Sequence, residues 1–323
     1  MLYPSELEKK YEVLVLMLIL GVSNIYANEY AEEACISNEG SSEPCNECCC
    51  GTPWVSADLL YLSVCEGGFD CDLGTTSITK TLTDGKNVTD VREKSEEIAF
   101  GWTPGFRVGV GYDFASSCFE AALYWTRFSD TGSGHEANNY AKLDLRFNEV
   151  DALLGYKLTY CDRFTLMPFL GVRYAKIDQA LSSHLESTIL IRATNARSVV
   201  VSTKHDTQHF WGIGPLFGLE GNLYFGCGFS IYGILAGNFL YGDFENDFNK
   251  SDIFTQAVNT SVSSSENCAV LTGFDAGLGL RYAFCFATLQ LGWEHHTYFD
   301  YNTIGCGGDL NLYGLNASVI FHF

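Results

Sequence analysis

The chain has 323 residues, with 39 acidic against 19 basic side chains and a net charge of −20. That balance excludes nucleic acid or an anionic surface as a partner of the chain as a whole, and a mean hydropathy of +0.04 excludes a bundle of membrane helices. Aromatic residues at 14% and 32 glycines against 6 prolines favour strands over helices.

Residues 1–27 read as a signal peptide. The run "VLVLMLILGV" (Val13 to Val22) has the length of a secretory apolar region, and "SNIYA" supplies small residues for cleavage after Ala27. The preceding Lys9 and Lys10 are diluted by Glu6, Glu8 and Glu12. No cysteine follows in a lipoprotein-type context, and no later apolar run reaches the length of a spanning helix. Residues 28–52 form a polar, acidic segment containing "EPCNECCCG". Export makes disulfides the expected state of most of the 13 cysteines, and an odd number leaves at least one free or paired with another chain.

From residue 53 to 323 the pattern has period two. "GFRVGVGYDF" sets Phe106, Val108, Val110 and Tyr112 against Arg107, Gly109, Gly111 and Asp113; "CFEAALYWTRF", "AVLTGFDAGLGLRYAF" and "LQLGWEHHTYF" alternate likewise. These segments are longer than the strands of soluble sheets. Small or charged groups oppose the apolar face, which suits lipid outside and water inside a closed antiparallel transmembrane β-barrel.

Short turns are expected at 113–118, 160–164, 224–229 and 283–287. Long connections are expected near 66–101, 131–139, 180–206, 244–267 and 301–309. Their alternation gives ten core strands with both termini at the short-turn, periplasmic end. Hairpins with turns at Asp84-Gly85 and near Asn195 could extend the wall to 12–16 strands. In "KLDLRFNEVDALLGYKL" the apolar set shifts from Leu143, Leu145 and Phe147 to Val150, Ala152 and Leu154, which predicts a β-bulge at Asn148-Glu149. Alternation then places Arg107, Glu120, Lys142, Asp144, Arg146, Asp151, Lys157, Arg173, Glu220, Asp275, Arg281, Gln290, Glu294 and His296 in the lumen.

Aromatic residues gather at the short turns: Tyr112, Phe114 and Phe119; Tyr160 and Phe164; Tyr224, Phe225 and Phe229; Tyr282, Phe284 and Phe286. This suits an interfacial girdle. The final strand, "LNLYGLNASVIFHF", ends in Phe323, which looks like an outer-membrane insertion signal. "RFNEVDALLGYKL", "LMPFLGVRYAKIDQ", "FWGIGPLFGLEGNLYFGCGFSIYGILAGNFLYGDF" and "LQLGWEHHTYFDYN" follow in an order that resembles the major outer membrane protein family of Chlamydia-like bacteria and Legionella. The resemblance covers roughly residues 54–65 and 102–323; segments 66–101 and 180–206 and the CCC run depart from it. It implies a porin of the bacterial outer membrane, often disulfide-linked into the envelope.

On this topology Cys35, Cys45, Cys48, Cys49 and Cys50 lie in the periplasmic segment. Cys118, Cys161, Cys227 and Cys285 fall one to each short turn, and Cys65, Cys71, Cys268 and Cys306 belong to the outer loops. Adjacent cysteines rarely bond to each other, so bridges within the periplasmic face and bridges to other Cys-rich envelope proteins both remain open. Cys45 and Cys48 make one ligand pair with no second pair to complete a zinc site, and the C-x-x-C lacks the helix a thioredoxin-like motif needs. No metal or other cofactor is expected.

His295 and His296 face opposite ways and have no nucleophile nearby, so Glu294 and His296 read as lumen lining and no enzyme is expected. The G-x-G in "GIGPLFGLEG" opens no helix and carries no phosphate site. The expected function is passive diffusion of small hydrophilic solutes and ions, with lipid as the surrounding partner. The alternative is a structural or adhesive cross-linked barrel whose charges pair across a filled interior. Trimers are common among porins, but no sequence feature marks an interface.

Overall fold

A computed structural model describes residues 51–66, 78–81, 87–90, 98–114, 118–136, 139–160, 163–191, 196–254, 257–303 and 306–323. The signal segment, residues 28–50, and the turns at Asp84-Gly85 and Asn195 lie outside the described residues. The strands are β1 (Thr52–Glu66), β2 (Ile78–Thr81), β3 (Asn87–Asp90), β4 (Trp102–Asp113), β5 (Phe119–Glu136), β6 (Asn139–Tyr156), β7 (Leu158–Tyr160), β8 (Phe164–Ile191), β9 (Ala196–Gly226), β10 (Phe229–Phe254), β11 (Ala257–Ala283), β12 (Ala287–Thr303) and β13 (Cys306–His322).

Ten of them close a ring. β4 pairs with β1, β1 with β13, and the order then runs β12, β11, β10, β9, β8, β6 and β5 back to β4, every pair antiparallel. The three-residue β7 adds to β8, and β2 and β3 form a separate two-stranded antiparallel sheet. The wall count is therefore ten, and the described residues add no strand to it.

The segments expected as long connections at 131–139, 180–206 and 244–267 are largely strand. β8 runs for 28 residues and β9 for 31, well beyond the bilayer. The turns at the other end are tight. Cys227 (φ 52°) and Gly228 (φ 80°) both take positive φ between β9 and β10, as a type I′ hairpin turn requires.

Side-chain exposure assigns the two faces. Exposed apolar side chains such as Val110, Leu123, Leu154, Leu170, Leu219, Leu235, Leu278, Leu291 and Leu315 form an outer belt. Rings flank it at both ends. At the short turns Phe119 packs on Tyr156 at 4.9 Å and Phe229 on Tyr282 at 4.5 Å, the girdle expected there; at the other edge Trp102, Trp293 and Tyr313 lie about one ring apart. Along β10 the belt runs from Phe229 to Tyr241. At ~3.3 Å per residue and a tilt near 40° this is about 30 Å, the thickness of a hydrocarbon core.

The interior is not a uniform aqueous lumen. Its outer part is an apolar core in which Leu60, Leu145, Phe147, Ile177, Phe210, Leu240, Leu271, Tyr298, Leu310 and Leu312 pack together, all buried. At this level the outer face turns polar: β10 exchanges outward Leu235, Phe239 and Tyr241 for Asp243, Glu245 and Asp247, while Phe244 points inward. β8 likewise exchanges outward Leu170, Val172 and Tyr174 for Lys176 and Asp178, with Ile177 inside.

This inversion corrects the expected bulge on β6. Asn148 and Glu149 sit in unbroken register with Arg127 and Thr126 on one side and Lys176 and Ala175 on the other. Leu143, Leu145 and Phe147 face inward, and Lys142, Asp144 and Arg146 face outward, contrary to the lumen placement read from alternation. The environment changes along the barrel axis while the parity of the strand does not. A bulge does occur on β12, where the register shifts between Tyr298 and Tyr301, Asp300 has φ 52°, and both tyrosines remain buried inside.

Two measurements check this arrangement. In protein folded into membranes, Leu145→Cys is expected to resist a membrane-impermeant maleimide while Arg146→Cys is labelled; a bulge at Asn148-Glu149 would reverse that result. Leu240→Ala should lower the unfolding free energy in urea by about 2–5 kcal/mol, whereas lipid-facing Leu235→Ala should cost less, because lipid refills the space.

Candidate functional site

Below the apolar core, within the belt, the interior becomes a connected layer of charges. Arg173 on β8 donates in a fork to Asp151 on β6 (2.8 and 2.7 Å) and reaches across the lumen to Asp275 on β11 (2.7 Å). Asp275 holds His296 Nδ1 at 2.8 Å, and the other ring nitrogen lies 3.3 Å from Glu294. Glu294 on β12 accepts from both terminal nitrogens of Arg107 on β4 (3.1 and 3.2 Å), and Arg107 lies 3.5 Å from Asp58 on β1. Tyr298 donates to Glu149 at 2.6 Å and Asn316 to Glu294 at 3.0 Å. Forked guanidinium–carboxylate contacts of this kind fix position as well as charge.

A second group lies nearer the short turns. Arg281 donates to Glu220 and Asn222 at 2.6 Å each, and to Gln290 at 2.8 Å, while its guanidinium sits 4.4 Å above the Tyr232 ring. That ring needs glycine on β11 and β12, because a Cβ at Gly279 or Gly292 would overlap it. Lys157 bridges Asp113 and Glu120 at the rim.

Most of these side chains, though not Asp113, Lys157, Asn222 or Tyr298, line a cavity of about 160 Å³. Side-chain exposure falls from 38% at Lys157 through 17% at Arg107 and Arg281 to 4% at Arg173. Beyond Arg173 lies the apolar core. The cavity is therefore a blind vestibule, more exposed at the short-turn end and closed at the outer end. Eight carboxylates (Asp58, Asp113, Glu120, Glu149, Asp151, Glu220, Asp275, Glu294) face four permanent cations (Arg107, Lys157, Arg173, Arg281) and one imidazole. Ser56 Oγ, buried at its wall, has no hydrogen-bond partner among the described residues. Among the described residues no group of side chains has the arrangement of a metal site.

Arg107, Glu120, Asp151, Lys157, Arg173, Glu220, Asp275, Arg281, Gln290, Glu294 and His296 thus lie where alternation puts them; Lys142, Asp144 and Arg146 do not. The sequence reading missed Asp58, Glu149, Tyr232, Tyr298 and Asn316. Asp58 interrupts the apolar run "ADLLYL", a visible signal, whereas Glu149 was lost to the assumed bulge.

Of the cysteines, Cys118, Cys227 and Cys285 lie at the short-turn end as expected; Cys227 and Cys285 are exposed free thiols. Cys65 and Cys268 are also free and exposed, but they sit on β1 and β11 and not in loops. Cys35, Cys45, Cys48, Cys49, Cys50, Cys71 and Cys161 lie outside the described residues, and β13 begins at Cys306. Cys268 donates to Asp243 at 2.8 Å, and this hydrogen bond and the carboxylate's charge push the thiol above its ordinary range.

Arg173→Met should strand three buried carboxylates and lower stability by about 3–5 kcal/mol, read by urea unfolding in micelles. Asp243→Asn should speed labelling of Cys268 several-fold at pH 8, because the thiolate is then less disfavoured; an unchanged rate would remove the carboxylate's influence.

A family model described as the Legionella pneumophila major outer membrane protein precursor matches residues 49–315. No curated protein matches the chain. Among solved structures, the outer membrane protease OmpT of Escherichia coli is 12% identical, with TM-score 0.46, over 84% of this chain and 97% of that one. Neisserial surface protein A is 13% identical with TM-score 0.28, over 84% and 97%. The toluene transporter TodX of Pseudomonas putida is 8% identical with TM-score 0.25, over 84% and 89%. The family match spans most of the sequence and agrees with a closed ten-stranded barrel girdled for lipid, so the chain belongs to the Legionella major outer membrane protein family and resides in the outer membrane.

Proposed function

We propose that the protein is a porin-type barrel, shut in this conformation, through which small hydrophilic solutes and ions pass when the apolar core parts. The observation that carries this reading is the vestibule: an acid-rich cavity of about 160 Å³ at membrane depth, with its more exposed end at the short turns. The surplus of carboxylates favours cations over anions along that path. Exposed thiols at the same end, Cys227 and Cys285, suit disulfide linkage to neighbouring envelope proteins. No catalytic role enters the reading: both nitrogens of His296 are engaged by Asp275 and Glu294, which leaves neither for a substrate proton.

A second reading, a structural envelope barrel with little conductance, is favoured by the depth of the apolar core, which spans every wall strand but β4. Planar-bilayer recording separates the two. The wild type should be shut most of the time, and the core-thinning variant Leu60→Ser/Leu145→Ser/Leu312→Ser should give sustained steps. In a salt gradient its reversal potential should take the sign of cation preference. If that variant, folded by heat-modifiable gel migration, gives no steps, the porin reading fails and the structural one stands.

A further inference from the structure

We propose that the outer face of β5, β6 and β8 binds the phosphate groups of an anionic lipid headgroup in the outer leaflet. The pairing register lines up the outward side chains in rows. The last row of the belt is Trp125, Val150 and Tyr174; the next is Arg127, Asn148 and Lys176; the next is Ser129, Arg146 and Asp178. Neighbouring strands lie about 4.8 Å apart and successive outward rows about 6.6 Å. Arg127, Arg146 and Lys176 therefore surround Asn148 within about 10 Å, directly after the last apolar outward residues of β5, β6 and β8, with Arg127 beside the belt residue Phe106 of β4. Arg146 and Lys176 are exposed, and Lys142 stands two rows higher on the same face.

Two outward acids stand among these cations. Asp144 lies 2.9 Å from Lys142, while Asp178 lies 3.5 Å from Lys176 and is shared with His209 at 2.8 Å. The same register rows, followed onto β10 and β11, carry outward Asp243, Glu245, Asp247 and Glu266, with no outward Lys or Arg among the described residues. In a chain of net charge −20, one arc of the rim is thus basic and another acidic.

The position selects the ligand. A headgroup whose acyl chains lie along Val150, Tyr174 and Val172 carries its phosphates at the level of Arg127 and Lys176. The guanidinium forks and the Asn148 amide offer donors to phosphate oxygens. A free anion would gain the same charges without the belt contact, so the site is assigned to lipid phosphate.

The test uses the full chain, exported and folded, in neutral-lipid nanodiscs, with bisphosphorylated lipid A as probe and its dephosphorylated form and inorganic phosphate as comparisons. Wild type should bind the phosphorylated lipid, lose affinity as salt rises, and resist competition by millimolar phosphate. Arg127→Gln/Arg146→Gln/Lys176→Gln should weaken binding about a hundredfold, on the order of tenfold or somewhat less per charge lost. Single Arg146→Gln, a fully outward change, should weaken it severalfold, and Asp243→Asn/Glu245→Gln on the acidic arc should not weaken it. Equal binding of the dephosphorylated lipid, full competition by inorganic phosphate, or unchanged affinity in a triple variant shown to be folded would each overturn the assignment.

Discussion

The structure depends on one constraint: a ten-stranded wall must face hydrocarbon outside while its interior is too narrow to be left empty. Both faces of each strand therefore have to be chosen at every level of the barrel axis. Within the bilayer the outer face is apolar by necessity, and the interior can hold charge because that charge is paired across the lumen. Above the bilayer the outer face meets water, and the apolar set moves inside, where Leu145, Ile177, Phe210 and Leu312 make an ordinary dry core. The molecule is thus lipid-solvated in its lower part and built like a soluble barrel in its upper part, with no break in its strands.

That arrangement explains why the charge layer lies where it does. A guanidinium at membrane depth is tolerable only when several acceptors surround it. Arg173 meets three carboxylates drawn from β6 and β11, and Arg107 meets two from β1 and β12. Each cation thereby ties together strands that are not hydrogen-bonded neighbours. The layer braces the wall from within, and any passage of solute has to leave these ties in place or exchange them for equivalent ones.

The fold was legible because period-two alternation and short turns survive in the sequence without any alignment. Strand number was the harder quantity, since 180–206 and 244–267 read as loops once the outward residues became polar. The same effect produced the false bulge on β6: "LDLRFNEVDALL" changes which parity is apolar, and a change of solvent along the axis looks identical to a one-residue slip when only the sequence is seen. The real irregularity on β12 was hidden for the opposite reason. Tyr298 and Tyr301 are both aromatic and both inward, so a spacing of three left no visible conflict. Most of the charge layer was found from alternation within the belt. Its partner Glu149 was missed because the assumed bulge fell on it, and Asp58 because it stands alone in the apolar run "ADLLYL".

Net charge illustrates how little a total says about such a surface. At −20 the chain as a whole repels anions, yet Coulomb interactions between exposed groups fade over about 8–10 Å at ordinary ionic strength. What a headgroup or a solute meets is the local row of side chains. In the vestibule that row is acidic, on β10 and β11 it is acidic again, and on β5, β6 and β8 it is basic. A cylinder embedded in lipid cannot average these arcs by tumbling relative to its surroundings; each keeps a fixed depth and faces its own neighbours. The charge pattern therefore acts by height and by strand, and the hydrogen-bond register that closes the wall is also what sets it.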